Sequence, residues 1–462
     1  MSSLLGRRAV VIGSGIGGLS VAGVLAGYFE QVDVLERDHL PASARSRPGT
    51  PQDRHPHGLL AGGLCALDEI FPGFRSDLTR AGAVPVKIAQ EIHYERPDVG
   101  ALPQRNFNMP ILCASRPLIE FVLRSRVEAV ANINLRSGCR VTEIMGETDK
   151  GSVQGVRFNT GLRRPEMLEA DLVVDASGRG ALTLALLDTL AWESPSTTEV
   201  GVDISYATVF VQVPENAPSD WKVVLTLPNP PALALNAVLA PAENNRWMVL
   251  IGDHGQTTRL ETWDSFLQAL RRLTTPTLYN ALRYATPPAD IRHYSFPASL
   301  WRHFERLPSL PRGILPIADS ICRFNPIYGQ GMSSAAKQAR LLRDVLEDAV
   351  PATDPIATLQ AGFMAKVGSV IQTPWSMATS ADLAFPETTG ERPENFEESR
   401  QFEAALFRAA VVYPVVHRVL LEVSQLLQPI DLLHDPDVIR RVEAVSAQKA
   451  SLNGTMRMAR QG

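Results

Sequence analysis

The segment Val10-Val11-Ile12-Gly13-Ser14-Gly15-Ile16-Gly17-Gly18 leaves the chain few folds to choose from. An apolar run of strand length enters a G-x-G-x-x-G pattern, with Gly13, Gly15 and Gly18 at the required places and Gly17 beside the last, and a helix to Ala26 follows directly. The first glycine allows a tight turn, the second lets the backbone approach a pyrophosphate, and the third lets the helix pack on the strand. A second strand, Gln31 to Leu35, ends in Glu36, 23 positions beyond Gly13, with Arg37 next to it. A carboxylate there accepts from the ribose hydroxyls of an adenosine. Glycine patterns alone are weak evidence. Strand, helix and acid in this order predict a dinucleotide-binding unit of an α/β fold.

Two further strand-end turns lie far along the chain. Leu172-Val173-Val174-Asp175 runs into Ala176-Ser177-Gly178-Arg179-Gly180, and Gly313 to Ala318 reads as a short strand running into Asp319, placed to bond a ribityl hydroxyl or an ordered water. Pro326, Gly329 and Gly331 then form a turn in which backbone can meet a ligand closely, and Ser333 to Asp348 reads as the helix that follows Met332. The N-terminal end of such a helix offers free amides and partial positive charge, which suit the negative pyrimidine edge of a reduced flavin. Each turn by itself also fits a strand, turn and helix with nothing bound. Three of them spread over more than three hundred residues suit one long cofactor lying over one sheet.

These three motifs resemble the FAD-dependent monooxygenases of the p-hydroxybenzoate hydroxylase and squalene epoxidase superfamily, over residues 1 to about 350. Pro51-Gln52-Asp53-Arg54-His55-Pro56-His57-Gly58-Leu59-Leu60, together with Phe324-Asn325-Pro326-Ile327-Tyr328-Gly329-Gln330-Gly331-Met332, resembles the bacterial polyether-type flavin epoxidases. The resemblance implies that Arg116, at the start of a helix opened by Ser115-Arg116-Pro117, reaches the flavin side of the cofactor, and that the Val141 backbone lies against the adenine. Two positions depart from the better-known hydroxylases: Ser177-Gly178 replaces an Asp-Gly pair, and Ala318-Asp319 replaces Gly-Asp. The first bears on nicotinamide handling, so the electron source, NAD(P)H or reduced flavin from a separate flavin reductase, stays open.

The implied fold is a Rossmann-like FAD-binding domain of glutathione-reductase type with an inserted mixed β-sheet substrate domain and a helical C-terminal region. The expected boundaries are 1–85, 111–190 and 298–355 for the FAD domain, 86–110 and 191–297 for the substrate domain, and 356–462 for the helical region. The implied activity is insertion of one atom of dioxygen, by epoxidation or hydroxylation through a flavin hydroperoxide, into an apolar natural-product substrate. A flavin-dependent reductase or dehydrogenase of a prenyl or polyene chain is the alternative, followed by a non-catalytic binding protein on the same scaffold. No Trp-x-Trp-x-Ile signature supports a halogenase. No residue is named as a catalytic base.

Composition adds exclusions. A net charge of −4 gives no reason to expect nucleic acid as a partner, no apolar stretch reads as an integral membrane segment, and the first residues lead straight into the nucleotide strand, so a cytoplasmic protein is expected. Cys65, Cys113, Cys139 and Cys322 have no metal or redox spacing. His55 and His57 lack companion ligands, so no metal is expected, and hydrogen bonding to the flavin loop suits them better. Arg54, or Arg45 and Arg47 in the same Pro/Arg/Ser-rich loop of residues 41–58, is placed to meet the pyrophosphate. Residues 87–109 read as strands of a separate sheet, 140–146 and 152–159 as a strand pair, and 263–284 as one helix. Trp192, Tyr206, Phe210, Trp221 and Trp247 either line an apolar pocket or pack in the core.

Overall fold

A computed structural model describes the chain at residues 4–459, apart from 148, 150, 162, 163 and 256–258. The turn expected over residues 147–151 therefore falls partly outside the described residues, as does the end of the expected helical region.

Five parallel strands form the first sheet, in the order Ile314–Pro316, Leu172–Asp175, Gly6–Ile12, Phe29–Leu35 and Ile133–Arg136. Where helices or a second sheet cover both faces these strands are apolar, as at Ala9–Ile12, Leu172–Val174 and Ile314–Pro316, so no polar alternation is required there. Ile12 pairs with both Leu35 and Asp175, and Asp175 with Pro316, so the C-terminal ends of four strands finish level. That register puts Gly13, Glu36, Ala176 and Ile317 along one rim. On one face lie the helices Ile16–Leu25, Arg116–Glu128 and Gly331–Ala349, whose Leu19, Leu123 and Leu342 join a core with Val11 and Val174. On the other, Val10 and Val173 pack against a three-stranded antiparallel sheet that includes Arg140–Glu147 and Ser152–Asn159.

The second large sheet has eight strands. Their order is Cys322–Arg323, Arg292–Arg302, Thr197–Gln212, Arg246–His254, Asn236–Ala242, Val223–Thr226, Ile92–Arg96 and Gly100–Ala101. It is mixed, since Val223–Thr226 pairs parallel with Ile92–Arg96. Residues 87–109 do not form a sheet of their own: Val84–Lys87 joins a small three-stranded sheet, Ile88–Glu91 is one helical turn, Ile92–Arg96 and Gly100–Ala101 extend the large sheet, and 102–109 are irregular. The single helix expected over 263–284 is two, Trp263–Arg271 and Thr277–Leu282, because Pro276 cannot continue a helix begun before it. The strand expected over 313–318 is only three residues long. Residues Ala318–Ser320 make a 3-10 turn, and the chain then crosses to the edge of the large sheet at Cys322–Arg323. The third glycine turn is thus held by both sheets at once. Beyond it, Pro355–Asp382 and three more helices, Phe396–Val412, Pro414–Ser424 and Pro436–Ala459, complete the described chain.

Candidate functional site

All three glycine turns meet on the rim. A Cβ on Gly18 would overlap the Gly13 carbonyl oxygen, and one on Gly17 would come within 2.8 Å of Ala318 Cβ, so the first turn is packed against itself and against the third. Gly180, at a φ of +66°, would place a Cβ 2.8 Å from the Ser320 carbonyl, which joins the second turn to the third. Asp175 organises this junction. Its buried carboxylate accepts from Thr183 Oγ1 at 2.7 Å and from the Ser177 amide at 3.0 Å, while Ser320 Oγ accepts from the Gly178 amide at 3.2 Å.

Four other glycines look into open space. Gly15, Gly329 and Gly331 have no heavy atom within 4 Å of where a Cβ would stand, and Gly178 has only Asp319 Cβ, at 4.0 Å. Gly15 and Gln330 begin the helices Ile16–Leu25 and Gly331–Ala349 with no side-chain cap and no acid in the first turn. Two helix dipoles therefore present positive ends without an anion of the chain to balance them. Pro326 opens a 3-10 turn capped by Asn325, whose Oδ1 accepts from the Ile327 amide at 3.2 Å, and Gly329 closes it in the left-handed region at a φ of +66°. Met332 is buried under this turn, and Val141 is half-buried on its strand.

At the far end of the rim Glu36 is 3% exposed. Its carboxylate accepts from Ser14 N and Oγ at 2.9 and 2.8 Å and from the Asp38 amide at 2.9 Å, and Arg47 Nη1 lies 3.3 Å away. Arg47 also pairs with Asp38 at 2.8 Å and Glu120 at 2.6 Å. Burial works against its charge, but Glu120, Glu36 and Asp38 more than offset that and raise its pKa. Among the loop arginines expected to turn inward, Arg47 is the one that does. Arg37, Arg45 and Arg54 are exposed.

Arg116 begins its helix as expected, with Ser115 Oγ accepting from the Leu118 amide at 3.4 Å. Its Nε is buried without a hydrogen-bond partner, and Glu120 is 4.0 Å off. Asp319 is half-buried. Burial raises its carboxyl pKa, against the opposing pull of Arg116, Arg323 and Arg302. The histidines depart from expectation: His55 Nδ1 bonds Thr208 Oγ1 at 2.7 Å, on the large sheet, and His57 Nδ1 bonds the His55 carbonyl at 2.7 Å, so neither bonds the 325–332 loop. Burial holds both neutral, pushing the His55 imidazole down to about 4 and that of His57 to about 3.

A buried polar network escaped the sequence reading. Asp382, fully buried at the end of the Pro355–Asp382 helix, accepts at Oδ1 from Asn325 Nδ2 at 2.9 Å and Tyr328 Oη at 2.7 Å, with His254 Nε2 at 3.3 Å. Tyr206 Oη donates to Asn325 Oδ1 at 2.5 Å. No local signal links Asp382 to Asn325, since 57 residues separate them. Of the five aromatic residues considered for a pocket, Tyr206, Trp221 and Trp247 are buried, the two tryptophans 5.9 Å apart, and Trp192 and Phe210 are half-buried against core clusters, so packing describes them better.

Protein Rv3254 of Mycobacterium tuberculosis (strain ATCC 25618 / H37Rv) is 30% identical over 455 residues, which cover 95% of this chain and 93% of that protein. The chain belongs to the family of Protein Rv3254. No family model matches the sequence. Among solved structures, a flavoprotein/dehydrogenase from Cytophaga hutchinsonii superposes with a TM-score of 0.68 at 13% identity, covering 96% of this chain and 100% of that one. PqsL of Pseudomonas aeruginosa, described as a probable FAD-dependent monooxygenase, superposes at 0.60 with 18% identity, covering 82% and 97%. At these identities the likeness establishes a shared fold and nothing more.

Proposed function

We propose that the protein is an FAD-dependent monooxygenase that inserts one oxygen atom from dioxygen, by epoxidation or hydroxylation, into a natural-product substrate with a largely apolar body. The observation that carries this reading is the row of open glycines on one rim. Gly15, Gly178, Gly329 and Gly331 leave room where side chains would stand, while Gly13, Gly17 and Gly18 are consumed by packing. Gly178 and Gly329 also serve their turns, at φ of +86° and +66°, but a fold without a ligand gains nothing from open glycines at Gly15 and Gly331, which have no left-handed backbone to satisfy. Two uncapped helix ends on the same rim suit a diphosphate and an anionic ring edge.

On this reading Glu36 holds the adenosine ribose by exchanging its Ser14 bonds for ribose hydroxyls, and the Val141 backbone faces the adenine. Asp319 meets the ribityl chain or a water beside it. The Pro326 to Met332 turn holds the flavin's pyrimidine edge, and Arg116, whose Nε has no hydrogen-bond partner, supplies positive charge on the same side. Arg37 and Arg54 are left out of the cofactor set because their side chains lie exposed. Bound FAD, once reduced, supplies the activation of dioxygen. The chain's own residues hold the ring, keep His55 and His57 neutral, and exclude water through the packed face of the large sheet. We assign residues 1–85, 111–190 and 298–355 to the FAD domain, 86–110 and 191–297 to the substrate domain and 356–462 to the helical region, with electrons from NAD(P)H or from a separate flavin reductase.

The test has two stages. The purified protein should show flavin absorption bands, and a spectrum without them after incubation with excess FAD would leave only the binding-protein reading. Turnover of polyene, prenyl or aromatic substrates under oxygen-18 gas should then add one labelled atom to the product. Two-electron reduction of the substrate with no oxygen gained would establish the reductase in its place.

A further inference from the structure

A cavity of about 510 Å³ opens between the Pro/Arg-rich loop and the start of the Arg292–Arg302 strand. Arg54 stands on one wall, Arg292 and His293 on the other, and Pro51 and Ile291 add apolar surface between them. No carboxylate lines it among the described residues. Arg47 also borders the cavity, but its charge is already matched by Glu36, Asp38 and Glu120. The Arg54 side chain, in contrast, is exposed and makes no hydrogen bond or ion pair among the described residues. The ion pair of Arg292 is with Asp290 at the surface, the two side chains 46% and 49% exposed, and such a pair is weak enough to yield to a ligand.

The walls are held in place from beneath. His55, 6% exposed, ties the loop to the large sheet through Thr208 Oγ1 and packs between Tyr206 and Tyr294, at ring distances of 6.0 and 5.5 Å. Thr208 is paired with Arg292 and Ala207 with His293 in the sheet register. One buried contact therefore fixes Arg54 across from Arg292 and His293. Two guanidinium groups on opposing walls, with apolar surface between, match a carboxylate or phosphate carried on an organic body.

We propose that this cavity is a binding site for a second ligand, an organic anion other than FAD, whose carboxylate or phosphate is held between Arg54 and Arg292. The anion belongs either to the substrate, which then carries an acidic group on its apolar body, or to the phosphates of a nicotinamide dinucleotide that supplies electrons. The site itself stands on the cavity and its charges, and only these two assignments rest on the monooxygenase reading.

Calorimetric titration of the full-length protein, as purified, with laurate, with dodecanol as its uncharged counterpart, and with NADPH separates the sources. At least one anion should bind, and dodecanol should bind weaker than laurate by about tenfold or more if laurate is held by its charge. Arg54→Ala and the double variant Arg54→Ala/Arg292→Ala should weaken that anion by about tenfold or more, with Arg54→Lys retaining most of the affinity and flavin content per chain unchanged. An effect confined to laurate assigns the site to substrate, and one confined to NADPH assigns it to the reductant. Failure of both anions to bind, or equal affinity in the double variant, overturns the proposal. So does a fall in flavin content in Arg54→Ala, which would return Arg54 to the cofactor. A protein that binds the anion at this site yet takes up no flavin would sink the monooxygenase reading and leave the site standing.

Discussion

The five-stranded parallel sheet and the eight-stranded mixed sheet show two ways of building one site. In the first, each candidate position sits directly after a strand, so the strand's hydrophobic run and its glycines mark the place. Level strand ends then bring turns from residues 13, 176 and 317 together with no further instruction. In the second, the residues that face the site come from strand interiors and from a helix far along the chain. Tyr206, His254, Asn325, Tyr328 and Asp382 belong to four different stretches and meet only because Cys322–Arg323 crosses to the large sheet. The comparison teaches that strand-end chemistry is local and strand-face chemistry is not.

The sharpest way to break this contrast is within the first turn. Gly18→Val should prevent folding, because its Cβ overlaps the Gly13 carbonyl, and soluble expression should be lost. Gly15→Val should leave a folded protein, since Gly15 has an ordinary φ of −70° and open space beside it, but one that no longer copurifies with flavin. Circular dichroism and the flavin absorbance distinguish the two outcomes. A Gly15→Val protein with stoichiometric flavin would show that the rim is not the cofactor seat.

In the large sheet the corresponding break is Asp382→Ala. It leaves the Asn325 amide, the Tyr328 hydroxyl and His254 without their shared acceptor, and each buried polar group left unsatisfied typically costs about 1–3 kcal/mol. A thermal or urea unfolding curve should show the loss, with the 325–332 turn among the first segments to gain hydrogen exchange.

Acid should separate the regions by a somewhat smaller effect. Burial, then His293 and Arg54, push His55 down to about 4, and burial, then Arg105, do the same for His417. Both pKa values lie below the ordinary value near 6.5, so the unfolded chain takes up protons that the folded chain refuses. Stability is therefore full above about pH 6.5 and falls as pH drops toward 4, by roughly 2 kcal/mol for each histidine at pH 5. His55 rests on the large sheet and His417 against Phe107 and Arg105. Hydrogen exchange at pH 5 should rise there before it rises in the parallel sheet. A uniform response would mean that the two regions unfold as one.

The smallest expected effect belongs to Glu36→Ala. A charged hydrogen-bond acceptor contributes about 1.5–3 kcal/mol, so FAD should bind roughly ten- to a hundredfold more weakly and still bind. Unchanged affinity in a fluorescence titration would remove Glu36 from the ribose site. A drop in melting temperature without a change in affinity would confine its role to holding Ser14 and Arg47.

What the sequence determined by itself is what short-range physics encodes. Alternation-free apolar runs, glycines at fixed offsets and an acid at the next strand end are properties of a few consecutive residues, and each gave its strand, turn and helix within a residue or two at Gly13 to Leu25 and Gly329 to Ala349. The tertiary structure decided everything that depends on which residues meet across the fold. It turned Arg47 inward against Glu36 and Glu120 and left Arg54 on a cavity wall, although both arginines sit in the same Pro-rich loop. It sent His55 to Thr208 rather than to the 325–332 turn, and it gave Asn325 a partner 57 residues away. A side chain's partners are fixed by register and layer packing, and neither is carried by any single stretch of sequence.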